Sequence, residues 1–543
     1  MRMWRFLRLR VLLLAGAAVV GVVSASTASA GAEGQLGASR EALPLTRDDV
    51  AYLALLGSRD LKVDRLSARI VATEISSERS AFHPVLSLES SESKSKNLTG
   101  SALAGATEIE TETTTWSSGI RAKLLSGGTA SLDFTNSRLD SNSQFLTINP
   151  QYQSTLALSL TQPLLRGFGP TVNTWRLRVA ENNVGISRYQ LQARVAAILA
   201  EAESVYWDLA RTHRDVEIKE QALDLTRQLA RRTEELVSEG ILPETARLQS
   251  KSSVLQRQAD LTIAQNAERD AARRLQDMLN LAPGSDPLIV PLDQPRVEPT
   301  AVDLSQAVKD ALARRPELPQ VKLDLKNKDV LLGVARNQIL PQLNLFGSYG
   351  LSGLAGEPVN AANPTVTIPI GRRGLASVNA TVDIFPSATS QAVGDYGTAL
   401  NNLISGDFPT WKVGMNLTFP LGNVAAKSQL EKAELEMQRA EIAVKNVEHV
   451  ITLEVERLGR QVESSYKAIE VTRAFREQAL KRVEMTRDQF ELGLASLSAV
   501  VEAQRDLITA EQEEWKAVVD YNKVLVQFDR ATGSMLEKYR VDL

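Results

Sequence analysis

The sequence predicts an α+β membrane protein: strands of the transmembrane-barrel type joined to very long antiparallel coiled-coil helices, with two internal repeats per chain. Three observations carry this. First, motifs recur at a fixed distance. His83-Pro84-Val85-Leu86-Ser87-Leu88 returns as Leu340-Pro341-Gln342-Leu343-Asn344-Leu345, and Leu160-Thr161-Gln162-Pro163-Leu164 returns as Leu417-Thr418-Phe419-Pro420-Leu421, both 257 residues on. Second, proline is absent from residues 171–242 and 421–532, where apolar and small residues recur at three-four spacing. Third, short runs between these helical stretches alternate apolar with small polar side chains.

The chain begins with a targeting pattern. Arg2, Arg5, Arg8 and Arg10 precede an apolar run over 11–23 and an Ala28-Ser29-Ala30 ending, the layout of a signal peptide over residues 1–30. The apolar run falls short of the about 20 residues that span a bilayer as a helix. Its removal takes four arginines and moves the net charge from −3 to −7. Cysteine is absent, which excludes disulfides, thiolate metal sites and catalytic thiols. Lys and Arg number 62 against 65 Asp and Glu. A nucleic-acid binder would carry a basic excess, so no nucleic-acid partner is expected. No later stretch holds 18 continuous apolar residues, so the mature chain can enter a membrane only as strands.

The first repeat covers residues 31–282. Asp48-Asp49 follow Thr46 and charge a helix start. After Pro84, Leu86 and Leu88 lie on one parity, with Val85, Ser87 and Glu89 on the other. Extended runs at 119–124 and 129–134 flank Ser126-Gly127-Gly128, a hairpin-type break. Leu156, Leu158 and Leu160 then alternate with Thr155, Ala157, Ser159 and Thr161. One apolar side and one small polar side is what a barrel strand needs. Trp116, Phe134 and Tyr152 near these runs suit membrane interfaces. Leu191, Val195, Ile198, Ala202, Val205, Leu209 and Val216 form a helical seam. A helix of about 70 residues would reach about 105 Å. Gly240 interrupts it, and Pro243 fits the first turn of a second, antiparallel helix.

Prolines 283, 287, 291, 295 and 299 mark residues 283–302 as an extended linker. The second repeat, 303–535, has the same order, and 536–543 form a C-terminal tail. Val413, Met415, Leu417 and Phe419 alternate with Lys412, Gly414, Asn416 and Thr418, and Leu343, Leu345 and Gly347 with Asn344, Phe346 and Ser348. Leu430, Ala433, Met437, Ala440, Val444, Val447 and Ile451 repeat the seam, and later apolar positions (Val455, Val462, Ile469) drift to other faces. Such drift suits a helix with more than one neighbour. Gly493 repeats the break, with Ser496 as helix cap.

In this order the motifs resemble the TolC-like outer-membrane efflux proteins, over about residues 46–535. The carriers are Phe490-Glu491-Leu492-Gly493-Leu494-Ala495-Ser496 running on through Glu502 to Leu507, with Arg315-Pro316-Glu317-Leu318, Leu340-Pro341-Gln342-Leu343 and Gln162-Pro163-Leu164-Leu165-Arg166-Gly167. The resemblance implies a homotrimer in the outer membrane of a Gram-negative-type bacterium, in contact with outer-membrane lipid. Each chain would give four strands to a β-barrel and its long helices to a periplasmic α-helical barrel. The 119–134 hairpin departs from that pattern, either as added barrel strands or as an enlarged loop. The implied function is a passive exit duct of a tripartite efflux or type I secretion system. A periplasmic adaptor (membrane fusion) protein would dock on it, and an inner-membrane pump would load it indirectly or at the tips. The helical tips, 237–248 and 490–501, would be both gate and adaptor-docking site, which singles out Gly240, Pro243, Ala246, Gly493, Ser496, Ala499 and Glu502. Ala246 and Ala499 stand where family members often place an aspartate, so Glu502 alone is carried over as a candidate cation-binding acid.

An enzyme is not expected. The sequence holds no phosphate-cradling Gly-Lys motif, no H-E-x-x-H and no G-x-S-x-G, and His83, His213 and His449 are far apart. No catalytic, cofactor-binding or metal-ligating residue is predicted. The rival reading is a soluble periplasmic coiled-coil adaptor or structural spacer, which leaves the alternating runs at 156–160 and 413–419 unexplained.

Overall fold

A computed structural model describes residues 42–99, 107–143, 146–281, 288–359, 365–369, 377–381 and 389–541. The predicted signal peptide, and Pro283 and Pro287 of the linker, lie outside these residues. The chain divides into a small unit, residues 1–43 with 283–289, and a large one, residues 44–282 with 290–543. The described part of the small unit is the first halves of strands β1 (Ala42–Leu45) and β6 (Leu288–Pro291), which pair in a two-stranded sheet. All else belongs to the large unit.

The two halves build the same helices in the same order. Helices α1 (Arg47–Gly57) and α2 (Arg59–Ser80) have 11 and 22 residues. Then come α3 (Trp175–Ser238), with 64, and α4 (Glu244–Leu279), with 36. The second half gives α5 (Leu304–Arg314) and α6 (Glu317–Gln338), again 11 and 22 residues. A short α7 (Tyr396–Ser405) precedes α8 (Val424–Glu491) and α9 (Leu497–Ala531), with 68 and 35. Even the caps correspond. Thr46 and Asp49 form a capping box on α1, and Asp303, 257 residues later, accepts from the Ser305 and Gln306 amides of α5.

Seam positions are where the sequence puts them. Val195, Ile198, Ala202, Leu209 and Val216 are buried on α3, and Ala433, Ala440 and Ile451 on α8. The drift along α8 has a cause, because it meets three partners in turn. Ala433 meets Leu332 and Ala335 of α6. Ile451, Val455 and Leu458 meet Ala307 and Ala311 of α5. Val462 and Ile469 meet Val518 and Tyr521 of α9. Arg315, from the Arg-Pro-Glu-Leu motif, ties this junction together. Its guanidinium is buried, holds Glu317 at 2.8 Å, and bonds Glu454 of α8.

The main sheet has six antiparallel strands: β2 (Val85–Leu98), β3 (Glu108–Lys123), β4 (Thr129–Ser141), β5 (Ile148–Pro163), β7 (Gln342–Pro358) and β10 (Pro409–Thr418). Their order is β10-β7-β5-β4-β3-β2. The resemblance implies four strands per chain; the sheet contains six. The 119–134 hairpin is not a loop, since β3 and β4 lie between β2 and β5 as continuous members of the ladder. Between β7 and β10 the chain also forms the hairpin β8 (Thr365–Pro369) with β9 (Ser377–Thr381), and α7. Neither was read in the sequence.

Candidate duct wall and helical tips

The register of the sheet sorts its side chains onto two different faces. Trp411 stands opposite Tyr349, Tyr349 opposite Leu158, Leu158 opposite Leu132, Leu132 opposite Ile120, and Ile120 opposite Leu86. One row of large apolar side chains therefore crosses all six strands. The next row on the other face is Lys412, Ser348, Ser159, Ser131 and Arg121, and it ends on Val85 of β2. The alternation read from single strands thus becomes a sheet with one apolar and one polar face. The apolar face is open: Leu88 is 76% exposed, Trp411 73% and Met415 69%. An exposed apolar patch of this extent marks contact with another surface or with lipid.

The apolar face has limits. On β7 it runs from Leu343 to Gly353, a climb of about 25 Å at ~3.3 Å per residue and a tilt of about 40°. That is the height of the apolar band on outer-membrane barrels. Beyond it the same face carries Lys94, Lys96, Glu110 and Glu112, tied in ion pairs such as Lys96–Glu110 at 3.1 Å. Near this upper boundary Trp116 packs edge-on against Phe134, and Tyr396 of α7 lies against Trp116 and Tyr152. Helix α7 sits there because position 353 is glycine. A Cβ at that place would stand 2.0 Å from the Ala399 carbonyl oxygen.

At the other end are the two helix–turn–helix tips. In the first, Gly240 takes φ 77° and Gly493 takes φ 73° in the second, a left-handed conformation that glycine adopts without strain. The turns repeat bond for bond. The Ile241 and Leu242 amides both donate to the Leu236 carbonyl, at 2.9 and 3.1 Å. The Leu494 and Ala495 amides both donate to the Gln489 carbonyl, at 2.8 and 3.2 Å. Pro243 occupies the N-cap of α4, and Ser496 caps α9 by accepting from the Ala499 amide at 3.3 Å. Ala246 is buried with Phe490, Leu497 and Val500 in one cluster, so the two tips lie side by side within the chain. Gly240, Pro243, Gly493 and Ser496 are exposed, and Ala499 is half-buried. Glu502 is exposed on the second turn of α9. Sequence reasoning missed Phe490, Leu497 and Val500 as the residues that join the tips. Their only signal is that apolar side chains flank Gly493.

Above the tips, the repeats meet where α3 lies beside α9. Ile218 and Ala222 pack on Ile508. Lys523 holds both oxygens of Asp208 at 2.9 Å. Close by, His213 of α3 contacts Glu268 of α4 at 2.6 Å. The Glu268 hydrogen bond raises the imidazole's pKa above its ordinary 6.5 despite desolvation. Burial raises the Glu511 carboxyl above its ordinary range, although Arg476 and Arg214 pull it back. These contacts lie within or between packed helices. Among the described residues no group of three or more His, Asp or Glu side chains is placed to hold a metal ion, and no helix is long and apolar enough to cross a membrane.

Residues 307–534 match the family model of the outer membrane efflux proteins. No curated protein matches the chain in sequence. Its fold is that of solved outer-membrane channels. The channel OprN superposes with a TM-score of 0.61 at 15% identity, over 90% of this chain and 89% of that one. The CmeC channel of Campylobacter jejuni gives 0.60 at 15%, over 90% and 85%. VceC of Vibrio cholerae gives 0.59 at 14%, over 90% and 96%. The resemblance to the TolC-like outer-membrane efflux proteins therefore holds. The duct reading fits these findings, and the soluble adaptor or spacer does not.

Proposed function

We propose that this chain, an outer membrane efflux protein by its second repeat, assembles as a homotrimer into a passive exit duct through the outer membrane and periplasm. The observation that carries the reading is a pair of open edges running the whole length of the large unit. One edge consists of β10 and α8. The other consists of β2, α2 and α4. Helix α8 has an apolar stripe that no described residue covers: Leu435, Ile442, Leu453, Val471, Phe475 and Met485 are all exposed. At 100° per residue they fall within about 40° of one line, opposite the buried Ile451, Val455 and Val462. The other edge also has exposed apolar residues: Val63, Leu66 and Ile70 on α2, and Leu248, Leu255 and Ile263 on α4. The edges differ, so they join head to tail, and a head-to-tail contact whose rotation closes makes a ring.

In this reading lipid covers the apolar sheet face, and the polar face lines a wet lumen. The tips form the periplasmic end. Ile241, Leu492 and Leu494 stand exposed there, an apolar surface that suits an adaptor protein. An inner-membrane pump supplies the energy, since the duct only conducts. Glu502 is the one acid carried over as a lumen cation site. The chain has no cysteine of its own, which makes a test clean. Cysteines placed beside Gly240 and Gly493 should crosslink across the closed tips and stop export when oxidised. Export that continues through confirmed crosslinks between subunits removes the tips as the gate.

A further inference from the structure

We infer that the membrane barrel of this duct has eighteen strands, three chains of six, and that the β3–β4 hairpin is a working section of its wall. The inference rests on the trimeric duct reading and extends it. Three observations support it. First, β3 and β4 keep unbroken registers with both neighbours, from Val85–Arg121 to Leu98–Glu108 on one side and from Thr129–Thr161 to Leu139–Gln151 on the other. Second, they obey the alternation of the wall. Ile120 and Leu132 continue the apolar row and are 48% and 42% exposed, whereas Arg121 and Ser131 point to the polar face. A decorative loop would have no reason to match its parity to the lipid-facing rows on either side. Third, the periplasmic turn is built into the base of the duct. The Gly169 amide donates to the Ser126 carbonyl, and Ser126 bonds Gln162 of β5 at 2.7 Å.

Polarity permits the addition. Two strands inserted together leave the direction of every other strand unchanged. With six antiparallel strands, β2 at one edge still runs opposite to β10 at the other, so β10 of one copy can pair antiparallel with β2 of the next. Within the bilayer such pairing is required, because unpaired strand edges are not tolerated there. The occupant of each edge is thus a second copy of this chain. Eighteen strands spaced 4.8 Å apart and tilted by about 40° make a ring about 36 Å across, against about 24 Å for twelve. Twelve helices packed 9–10 Å apart also make a ring about 36 Å across. The membrane mouth is then as wide as the helical duct below it.

The test uses the full-length protein in lipid nanodiscs, with single cysteines at Ile120, Arg121, Ser131 and Leu132 and a reference pair at Lys412 and Val413. Each cysteine carries an environment-sensitive fluorophore, read with brominated lipid and with aqueous iodide. The expected result is strong lipid quenching at Ile120, Leu132 and Val413, and strong iodide quenching at Arg121, Ser131 and Lys412. Alternation at 412 and 413 with uniform iodide quenching on the hairpin would overturn the eighteen-strand wall and leave the duct standing. No alternation at either place would overturn the barrel reading itself. Cryo-EM of the unmodified trimer counts strands independently of any substitution. Eighteen supports the inference and twelve ends it.

Discussion

Phe475 offers the sharpest test of the proposed edges. It lies on the open stripe of α8 and is 51% exposed. A phenylalanine carries about 200 Å² of surface, so about 100 Å² remains for a neighbour to cover. At about 25 cal/mol per Å² that is about 2.5 kcal/mol per interface, of which an alanine would keep a little. Three equivalent interfaces make the loss about 6 kcal/mol per trimer, a weakening of about 10⁴-fold in the trimer's dissociation constant. The assay is mass photometry of Phe475→Ala across a dilution series in mild detergent, beside the unaltered protein. Glu477→Ala, exposed on α8 but off the stripe, serves as control. Phe475→Ala should fall apart at concentrations where the control stays trimeric, with helical circular dichroism unchanged. Equal stability of the two would refute the assignment of this stripe to the subunit interface.

Further outcomes follow from the packing within the chain. Arg315→Leu should destabilise the helical part by about 3 kcal/mol, the low end for breaking a buried pair, because Glu454 keeps 30% exposure and regains some water; chemical denaturation followed at 222 nm measures it. Gly353→Val should dislodge α7, since Ala399 O and Leu403 N are backbone atoms that cannot step aside. Faster hydrogen exchange confined to residues 396–405 would report this, and unchanged exchange would contradict it. His213 has its folded pKa raised by Glu268, so its contribution to stability is complete below about pH 6.5 and fades as pH rises through the raised folded value. The thermal midpoint should therefore drop between pH 6 and pH 9, and His213→Gln should lessen that drop.

How much of this was legible in the sequence depends on the range of the interactions. Seam residues such as Val195 and Ala433, and the parity of Leu158 and Val413, follow from local periodicity, and they are buried or face-sorted as read. The caps at Thr46 and Ser496 are equally local. By contrast, α7 is too short for a period to stand out. Its signals are the Asp395 cap and the Gly406 stop, and only Ala399 and Leu403 are buried on it. Whether the 119–134 hairpin joins the wall depends on pairing with β2 and β5, which periodicity in one run does not encode. The meeting of Ala246 with Phe490 joins residues from different repeats, and His213 finds Glu268 across a helical hairpin. Such contacts are set by tertiary packing. The tip turns were readable because the motif is duplicated, with Gly240 and Gly493 each standing where a positive φ is needed.

In the proposed duct the β10 edge of one copy meets the β2 edge of the next inside a lipid bilayer. Chains with one cysteine on β10 at Met415 and a second scanned along 85–98 of β2 can be oxidised in native membranes and resolved on denaturing gels. A subset of positions should yield covalent dimers and closed covalent trimers, with the ladder ending at three. Crosslinks that form only within single chains at every position tried would contradict this pairing of edges.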